Sequence, residues 1–165
     1  MNTQTLLSIV ADQREELLAN DYSELCLRPE ESQLDLKSNR AQVVIGVRRC
    51  GKSTLCEMFL KQKGIDFAYV NFDDDRMEDM KASDLDHLLE ALYMTYGEFK
   101  YLFLDEIQNI EGWPLFVNRL LRQKMHLFIT GSNSKLLSKE LSTHLTGRNN
   151  KVELYPFSYL SLIHI

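Results

Sequence analysis

Residues 46–53 read GVRRCGKS, a pattern in which a lysine and a serine directly follow the second of two glycines. Gly46 and Gly51 allow a tight turn in which consecutive N–H groups point inward, and such a nest of amides binds phosphate oxygens. A helix beginning at this point would add the positive end of its dipole. Lys52 would supply a full charge to the β- and γ-phosphates, and the Ser53 hydroxyl would coordinate Mg²⁺. The pattern therefore predicts a site for a nucleoside triphosphate and Mg²⁺.

The predicted nucleotide-binding segment consists of consecutive residues: Gly46, Val47, Arg48, Arg49, Cys50, Gly51, Lys52, Ser53 and Thr54. Arg48 and Arg49 either add charge beside the phosphates, or are solvated, or pair with acidic residues elsewhere. Cys50 stands where alkylation would block the site, although a small side chain that simply fits is the plainer and preferred explanation. A chance match is the alternative to the whole assignment, and a strand before the pattern with a helix after it argues against chance.

Two adjacent carboxylates end an apolar run at residues 101–106, which read YLFLDE. A buried parallel strand would deliver such groups to its carboxyl end, the edge of the sheet at which ligands bind. Asp105 is expected to hold Mg²⁺ or its waters, and Glu106 to orient and polarise the attacking water. An acidic pair that only opens the next loop is the alternative, since such residues also cap helices.

Further polar groups follow the next apolar run and the helix after it. Asn133 is a candidate for sensing the γ-phosphate, and the alternative is that Ser132 or Asn133 caps helix 134–145; the two roles can coexist. Arg148 follows Gly147, a natural end for that helix. This arginine could reach a γ-phosphate in its own chain or in a neighbouring one, or be an ordinary surface residue.

The elements that must position these residues alternate between strand and helix patterns, which is typical of a parallel sheet joined by crossover helices. An amphipathic helix is predicted over residues 5–19, with a weakly structured connection over 20–39. The predicted strands cover residues 42–46, 67–72, 100–105, 126–131 and 151–155. The predicted helices between them cover residues 52–63, 84–96, 113–124 and 134–145.

Composition excludes several other classes of protein. The chain has 165 residues, 44% hydrophobic content and a net charge of −5, which fits one domain without a general attraction to nucleic acids. Its 3 cysteines lack paired spacing and its 4 histidines are scattered, so neither a disulfide framework nor a zinc site is indicated. The sequence shows no membrane span and no signal peptide, and a cytoplasmic location is expected.

From these residues the chain resembles the AAA-type P-loop ATPases with a catalytic glutamate. The resemblance is closest to the prokaryotic ATP-binding proteins marked by GxRRxGKST and LDEIQ, which stand here at residues 46–54 and 104–108. Residues 131–137 (GSNSKLL) and 145–148 (LTGR) are also similar to that group. The similarity covers roughly residues 40–158, whereas such relatives continue past this point. We therefore expect residues 1–39 to form a helix and connection, 40–158 the ATPase domain, and 159–165 a truncated tail. Within this tail, only the closing residues 162–165 are interpreted as non-native sequence.

The resemblance implies a three-layer α/β/α fold with a mostly parallel five-stranded sheet in the order 5-1-4-3-2. It implies that Lys52 and Ser53 serve phosphate and metal, and that Asp105 and Glu106 serve metal and water. It also implies a γ-phosphate sensor at Asn133 and a site arginine at Arg148.

The functional expectation is an ATPase that uses Mg²⁺-ATP to drive or gate a protein partner or an absent C-terminal domain. Assembly of the chain into an oligomer is compatible with this expectation. A nucleotide-gated switch with little turnover is the principal alternative, and a kinase-like phosphotransferase is less favoured because no acceptor site is visible. ATP is favoured over GTP because the sequence has no Asn-Lys-x-Asp run.

Overall fold

A five-stranded sheet forms the centre of the computed structural model, which describes residues 1–20 and 28–156. Its strands are β1 (Ala41–Ile45), β2 (Ala68–Asn71), β3 (Tyr101–Asp105), β4 (His126–Gly131) and β5 (Asn149–Glu153). The order across the sheet is β2-β3-β4-β1-β5, which confirms the predicted order 5-1-4-3-2. Every pairing between these strands is parallel, so the sheet is more uniform than the mostly parallel one predicted.

Across the described ranges, one α-helix precedes the sheet and four others connect its strands, as the sequence predicts. They are α1 (Thr3–Ala19), α2 (Lys52–Gln62), α3 (Leu85–Tyr96), α4 (Trp113–Arg122) and α5 (Ser134–His144). Local sequence explains where several begin: the Asn2 side chain accepts a hydrogen bond from the Thr5 N–H at 2.8 Å, and the Asn133 side chain caps α5. Among the described residues, no helix combines the length and the apolar character that crossing a membrane requires.

The two faces of the sheet carry separate hydrophobic clusters, so the fold has three layers. Helices α1, α3, α4 and α5 cover one face, where Val43 and Ile45 of β1 are buried. Helix α2 covers the other face, where Val44 packs with Phe59 and Phe128. Because neighbouring residues of a strand point to opposite faces, the continuous apolar run of β1 supplies both clusters.

Helix α1 shares the core of the sheet. Leu6, Ile9 and Val10 belong to the same buried cluster as the strand residues, as the apolar face of the predicted helix suggests. Gln13 fixes the helix against the edge strand β2, because its amide donates to the Asn71 carbonyl and accepts from the Asn71 N–H, both at 3.0 Å. The connection after α1 contains a short 3-10 helix, Pro29–Gln33, while the predicted tail 159–165 lies outside the described residues.

Candidate nucleotide site

The loop between β1 and α2 begins at Gly46, on the carboxyl edge of the sheet. Gly46 donates its N–H to the Gly131 carbonyl of β4 at 3.3 Å. A Cβ atom at this position would lie 2.4 Å from the Leu154 carbonyl oxygen and 2.7 Å from Cys50 Sγ. The turn therefore requires glycine, and Cys50 is a small, buried side chain that fills the space beside it. This packing accounts for Cys50 without any chemical role.

The backbone of the loop leads into the first turn of α2. Arg49 and Gly51 both adopt left-handed conformations, with φ of 64° and 95°. Within residues 1–20 and 28–156, no side chain caps the helix at Gly51. The first N–H groups of a helix have no acceptor within the helix, so an uncapped first turn favours the binding of an anion.

Lys52 crosses the loop and ends beside the strand carboxylates. Its side chain is only 3% exposed, and its Nζ donates to the Val47 carbonyl at 2.9 Å. The same Nζ lies 3.6 Å from Glu106 Oε1. The tertiary structure thus joins the two sequence motifs through a buried ammonium group, which a phosphate could engage in place of its present partners.

Asp105 is buried at the end of β3 among hydroxyl groups. It accepts hydrogen bonds from Ser53 Oγ at 2.8 Å, from Tyr69 OH at 2.9 Å and from Thr130 Oγ1. Burial raises the pKa of Asp105 above its usual range, the three hydrogen bonds oppose this rise, and the nearby Glu106 charge adds to it. Ser53 and Asp105 together present hard oxygen donors of the kind that Mg²⁺ prefers.

Glu106 leaves β3 in a left-handed conformation, with φ 57° and ψ 49°. This unusual backbone is stabilised by the Thr130 side chain, since the Glu106 N–H donates to Thr130 Oγ1 at 3.0 Å. The carboxylate accepts hydrogen bonds from Gln108 and Ser132. Non-glycine residues in this conformation are uncommon and often occur at functional sites.

Sequence reasoning missed several of these contacts. Gln108 lies within the LDEIQ motif but received no role, and neither Tyr69 nor Thr130 was singled out. Arg28, in the predicted connection, donates to the Cys50 carbonyl at 2.7 Å and to the Tyr155 carbonyl. Motif spacing could have drawn attention to Gln108, but the other contacts join residues far apart in the chain.

Asn133 is the N-cap of α5, because its Oδ1 accepts from the Leu136 N–H at 3.1 Å. It follows Ser132, which contacts Glu106, so it stands next to the site as the sequence predicts. Its present contact is the helix cap, a role that can coexist with sensing the γ-phosphate.

The other predicted loop residues differ in their surroundings. Arg48 is exposed and pairs with Asp73 through two hydrogen bonds of 3.1 and 3.2 Å, the pairing considered above as an alternative. The hydrogen bond to this carboxylate raises the pKa of Arg48. Val47 and Arg49 are exposed, and Thr54 is half-buried in the first turns of α2.

Arg148 does not lie with these residues. Its carbonyl accepts from the N–H of Ala41 at the start of β1, and its side chain donates to Asn118 Oδ1 at 3.0 Å. The loop begins at the other end of β1, about 16 Å away for five residues at roughly 3.3 Å each. The expectation that Arg148 reaches the γ-phosphate of its own chain is therefore wrong, because parallel strands place its position at the amino edge. The other form of the prediction, in which Arg148 contacts the γ-phosphate bound to a neighbouring chain, stays a prediction.

Comparisons with known proteins agree with this architecture. The sequence profile of the family described as "AAA domain" matches residues 38–162. The chain is similar to an uncharacterized protein of Methanocaldococcus jannaschii, with 41% identity over 128 residues, covering 77% of this chain and 29% of that protein. It is also similar to an uncharacterized protein of Haemophilus influenzae, with 38% identity over 131 residues, covering 74% of this chain and 33% of that protein. The match thus spans about a third of the length of these relatives. The chain belongs to the AAA domain family of nucleotide-binding proteins.

Proposed function

We propose that this chain binds Mg²⁺-ATP on the loop at residues 46–54 and hydrolyses it. The observation that carries the proposal is the meeting of Lys52 with Glu106, at 3.6 Å, beside the contact between Ser53 and Asp105. These four side chains come from two motifs 52 residues apart at their Ser53 and Asp105 positions. Phosphoryl transfer needs a cation for the phosphates, oxygen ligands for the metal and a base for the water, and this arrangement supplies all three.

Each residue has a distinct proposed role. Lys52 binds the β- and γ-phosphates in place of the Val47 carbonyl and Glu106. Ser53 and Asp105 hold Mg²⁺, which would supply electrostatic stabilisation of the transferred phosphoryl group when bound. Glu106 accepts the proton of the attacking water. Asn133 remains a proposed γ-phosphate sensor, and Arg148 a proposed contact to the nucleotide of a neighbouring chain.

The wider role follows from the size of the relatives. Because the match covers only about a third of their length, we propose that hydrolysis drives or gates a protein partner or a C-terminal domain of the whole protein. A cytoplasmic location is part of this proposal, since ATP is abundant there and Cys50 and Cys56 are free thiols.

The test is ATP affinity and steady-state turnover of the wild type, Lys52→Ala and Glu106→Gln. We expect Lys52→Ala to weaken ATP binding by roughly 30-fold or more, since it removes a charge-assisted contact from a buried site. Glu106→Gln should keep ATP affinity and lose roughly 10²–10⁴-fold in turnover. The exposed residues Lys100 and Glu98 provide matched controls as Lys100→Ala and Glu98→Gln.

Two results would contradict the assignment. Unchanged ATP affinity in Lys52→Ala would remove the phosphate-loop role, and unchanged turnover in Glu106→Gln would remove the base. Tight ATP binding by a wild type that does not turn over would instead favour the nucleotide-gated switch. The ion pair between Lys52 and Glu106 is the observation that keeps this second function in view, since ATP binding would separate the two groups.

A further inference from the structure

The two oxygens of the Glu106 carboxylate have different surroundings. Oε2 accepts three hydrogen bonds: from Gln108 Nε2 at 2.6 Å, from Ser132 Oγ at 2.9 Å and from the Ser132 N–H at 3.2 Å. Oε1 faces Lys52 Nζ at 3.6 Å. A carboxylate oxygen offers about two lone-pair positions, so three donors occupy the capacity of Oε2. Oε1 is the oxygen left to accept a proton on the side of the phosphate loop.

The fold explains why these donors surround one oxygen. Strands β3 and β4 are neighbours in the parallel sheet, so Glu106 and Ser132 leave adjacent strands at the same edge. The left-handed conformation of Glu106 leads directly into a short 3-10 turn, Ile107–Asn109, and this turn brings Gln108 back to the carboxylate. Gln108 Nε2 also lies 3.3 Å from Ser132 Oγ, which closes the group.

Gly131 leaves room for the Gln108 amide. A Cβ atom on Gly131 would lie 2.8 Å from Gln108 Oε1 and 2.5 Å from Leu137 Cδ2. Gln108 Oε1 is buried and has no hydrogen-bond partner within residues 1–20 and 28–156. The opposite amide orientation would place this oxygen against the carboxylate, so the chemistry of Glu106 determines which way the amide points. Leaving a buried oxygen without a donor costs free energy, and a structural turn alone does not require it.

We propose that Gln108 and Ser132 are positioning residues for Glu106, holding Oε2 so that Oε1 acts as the base. The inference rests on the proposed ATPase function and adds to it the positioning roles of Gln108 and Ser132. In the hydrolytic step, one O–H bond of water breaks and its proton passes to Oε1, while the water oxygen bonds to the γ-phosphorus. The bond between that phosphorus and the bridging oxygen breaks, and ADP leaves with the electron pair. Gln108 and Ser132 keep their contacts to Oε2 throughout.

The experiment compares Gln108→Leu in the wild-type and Glu106→Gln backgrounds, with kcat expressed per bound nucleotide. Losing a hydrogen bond to a charged group should lower kcat about 10-fold in the wild-type background and leave ATP affinity within about 3-fold. In the Glu106→Gln background the substitution should cause no further loss, because the base it positions is already gone. Gln123→Leu is the matched control, because Gln123 is an exposed glutamine at the end of α4.

A purely structural role would give a different pattern. Gln108→Leu would then reduce the amount of bound nucleotide or lower kcat by the same factor in both backgrounds, and either result would overturn the inference. If Gln108→Leu does not fold, Ser132→Ala tests the same group: it removes one donor to Oε2, keeps the backbone N–H, and should lower kcat about 3-fold only when Glu106 is present.

The pattern of failure separates this inference from the proposed function. Slow turnover in Glu106→Gln with wild-type kcat in Gln108→Leu and Ser132→Ala would overturn the positioning role alone. A wild type without turnover, or an active Glu106→Gln, would overturn the ATPase function and the positioning role with it.

Discussion

The charged groups of the candidate site and those around Arg148 differ in how far they are exposed to solvent. At the carboxyl edge, Lys52 and Asp105 are each 4% exposed and are surrounded by hydrogen-bonding partners. At the amino edge, Arg148 is exposed and bonded to Asn118. The surface pair of Arg119 on α4 and Asp86 on α3 is likewise 37% and 70% exposed. Both edges belong to the same five parallel strands, so strand direction alone does not produce the difference.

What differs is the loop structure above the strand ends. At the carboxyl edge, the turn at Gly46 and the first turn of α2 cover the ends of β1, β3 and β4, so ionisable groups there lose water. Burying an ionised group is unfavourable unless neighbours compensate, and such unfavourable arrangements occur mainly at functional sites. The burial of Lys52 and Asp105 therefore favours a binding role for this part of the carboxyl edge, whereas the exposed charges around Arg148 remain solvated and contribute little to stability.

Substituting one glycine at each edge of the sheet should give the largest difference in ATP affinity between two variants. Gly46→Ala places a Cβ atom 2.4 Å from the Leu154 carbonyl, so the loop must move, and a displacement of this kind should weaken ATP binding by roughly 100-fold. In Gly147→Ala the new Cβ meets no atom of the described part of the chain within 4 Å, so the only cost is that of the φ of 75°, about 1–2 kcal/mol in stability. Titration with a fluorescent ATP analogue measures the nucleotide affinity of both variants. Equal loss of binding in the two variants would show that general destabilisation is responsible.

Neutralising the buried Asp105 carboxylate should have an effect of intermediate size. It should raise the stability of the nucleotide-free chain and weaken the binding of Mg²⁺-ATP. Because burial raises the pKa of Asp105 in the folded chain, the folded state holds the proton more tightly than the unfolded state. Its contribution to stability is therefore greatest below the unfolded pKa and is lost as pH rises toward the folded pKa. At neutral pH, Asp105→Asn should stabilise the nucleotide-free chain by roughly 0.5–2 kcal/mol and raise Tm by a few degrees.

The same variant should weaken Mg²⁺-dependent ATP binding, because it removes a proposed metal ligand. Thermal unfolding at pH 5 and pH 7.5, with and without Mg²⁺-ATP, measures both effects. Asp86→Asn, at an exposed carboxylate on the surface of α3, is the control and should leave Tm nearly unchanged. A lower Tm for Asp105→Asn would mean that the hydrogen bonds from Ser53, Tyr69 and Thr130 outweigh the cost of burial.

Arg148→Ala should have the smallest effect on an isolated chain. Its position at the amino edge predicts unchanged ATP affinity and unchanged turnover at low protein concentration, with Tm nearly unchanged. If a neighbouring chain receives this arginine, wild-type turnover per chain should rise with protein concentration and the variant should lack that rise. A loss of ATP affinity at high dilution would contradict the placement of Arg148 away from its own loop.

The sequence by itself determined the elements, and it indicated the residues next to them that are proposed to carry chemistry. The strand predictions lie within two residues of the observed bounds, because apolar runs ending in polar groups mark buried parallel strands clearly. The loop at residues 46–53 and the pair Asp105 and Glu106 were also found, since local spacing defines each motif. The family resemblance supplied the strand order.

Only the tertiary structure decided which residues meet. It placed Lys52 beside Glu106, enclosed Asp105 with Tyr69 and Thr130, and moved Arg148 to the far edge. Such contacts depend on strand order and on left-handed turns such as that of Glu106, which no local pattern encodes. The physical reason is that propensity and periodicity act over a few residues, whereas burial and hydrogen bonding at this edge join segments separated by tens of residues in the chain.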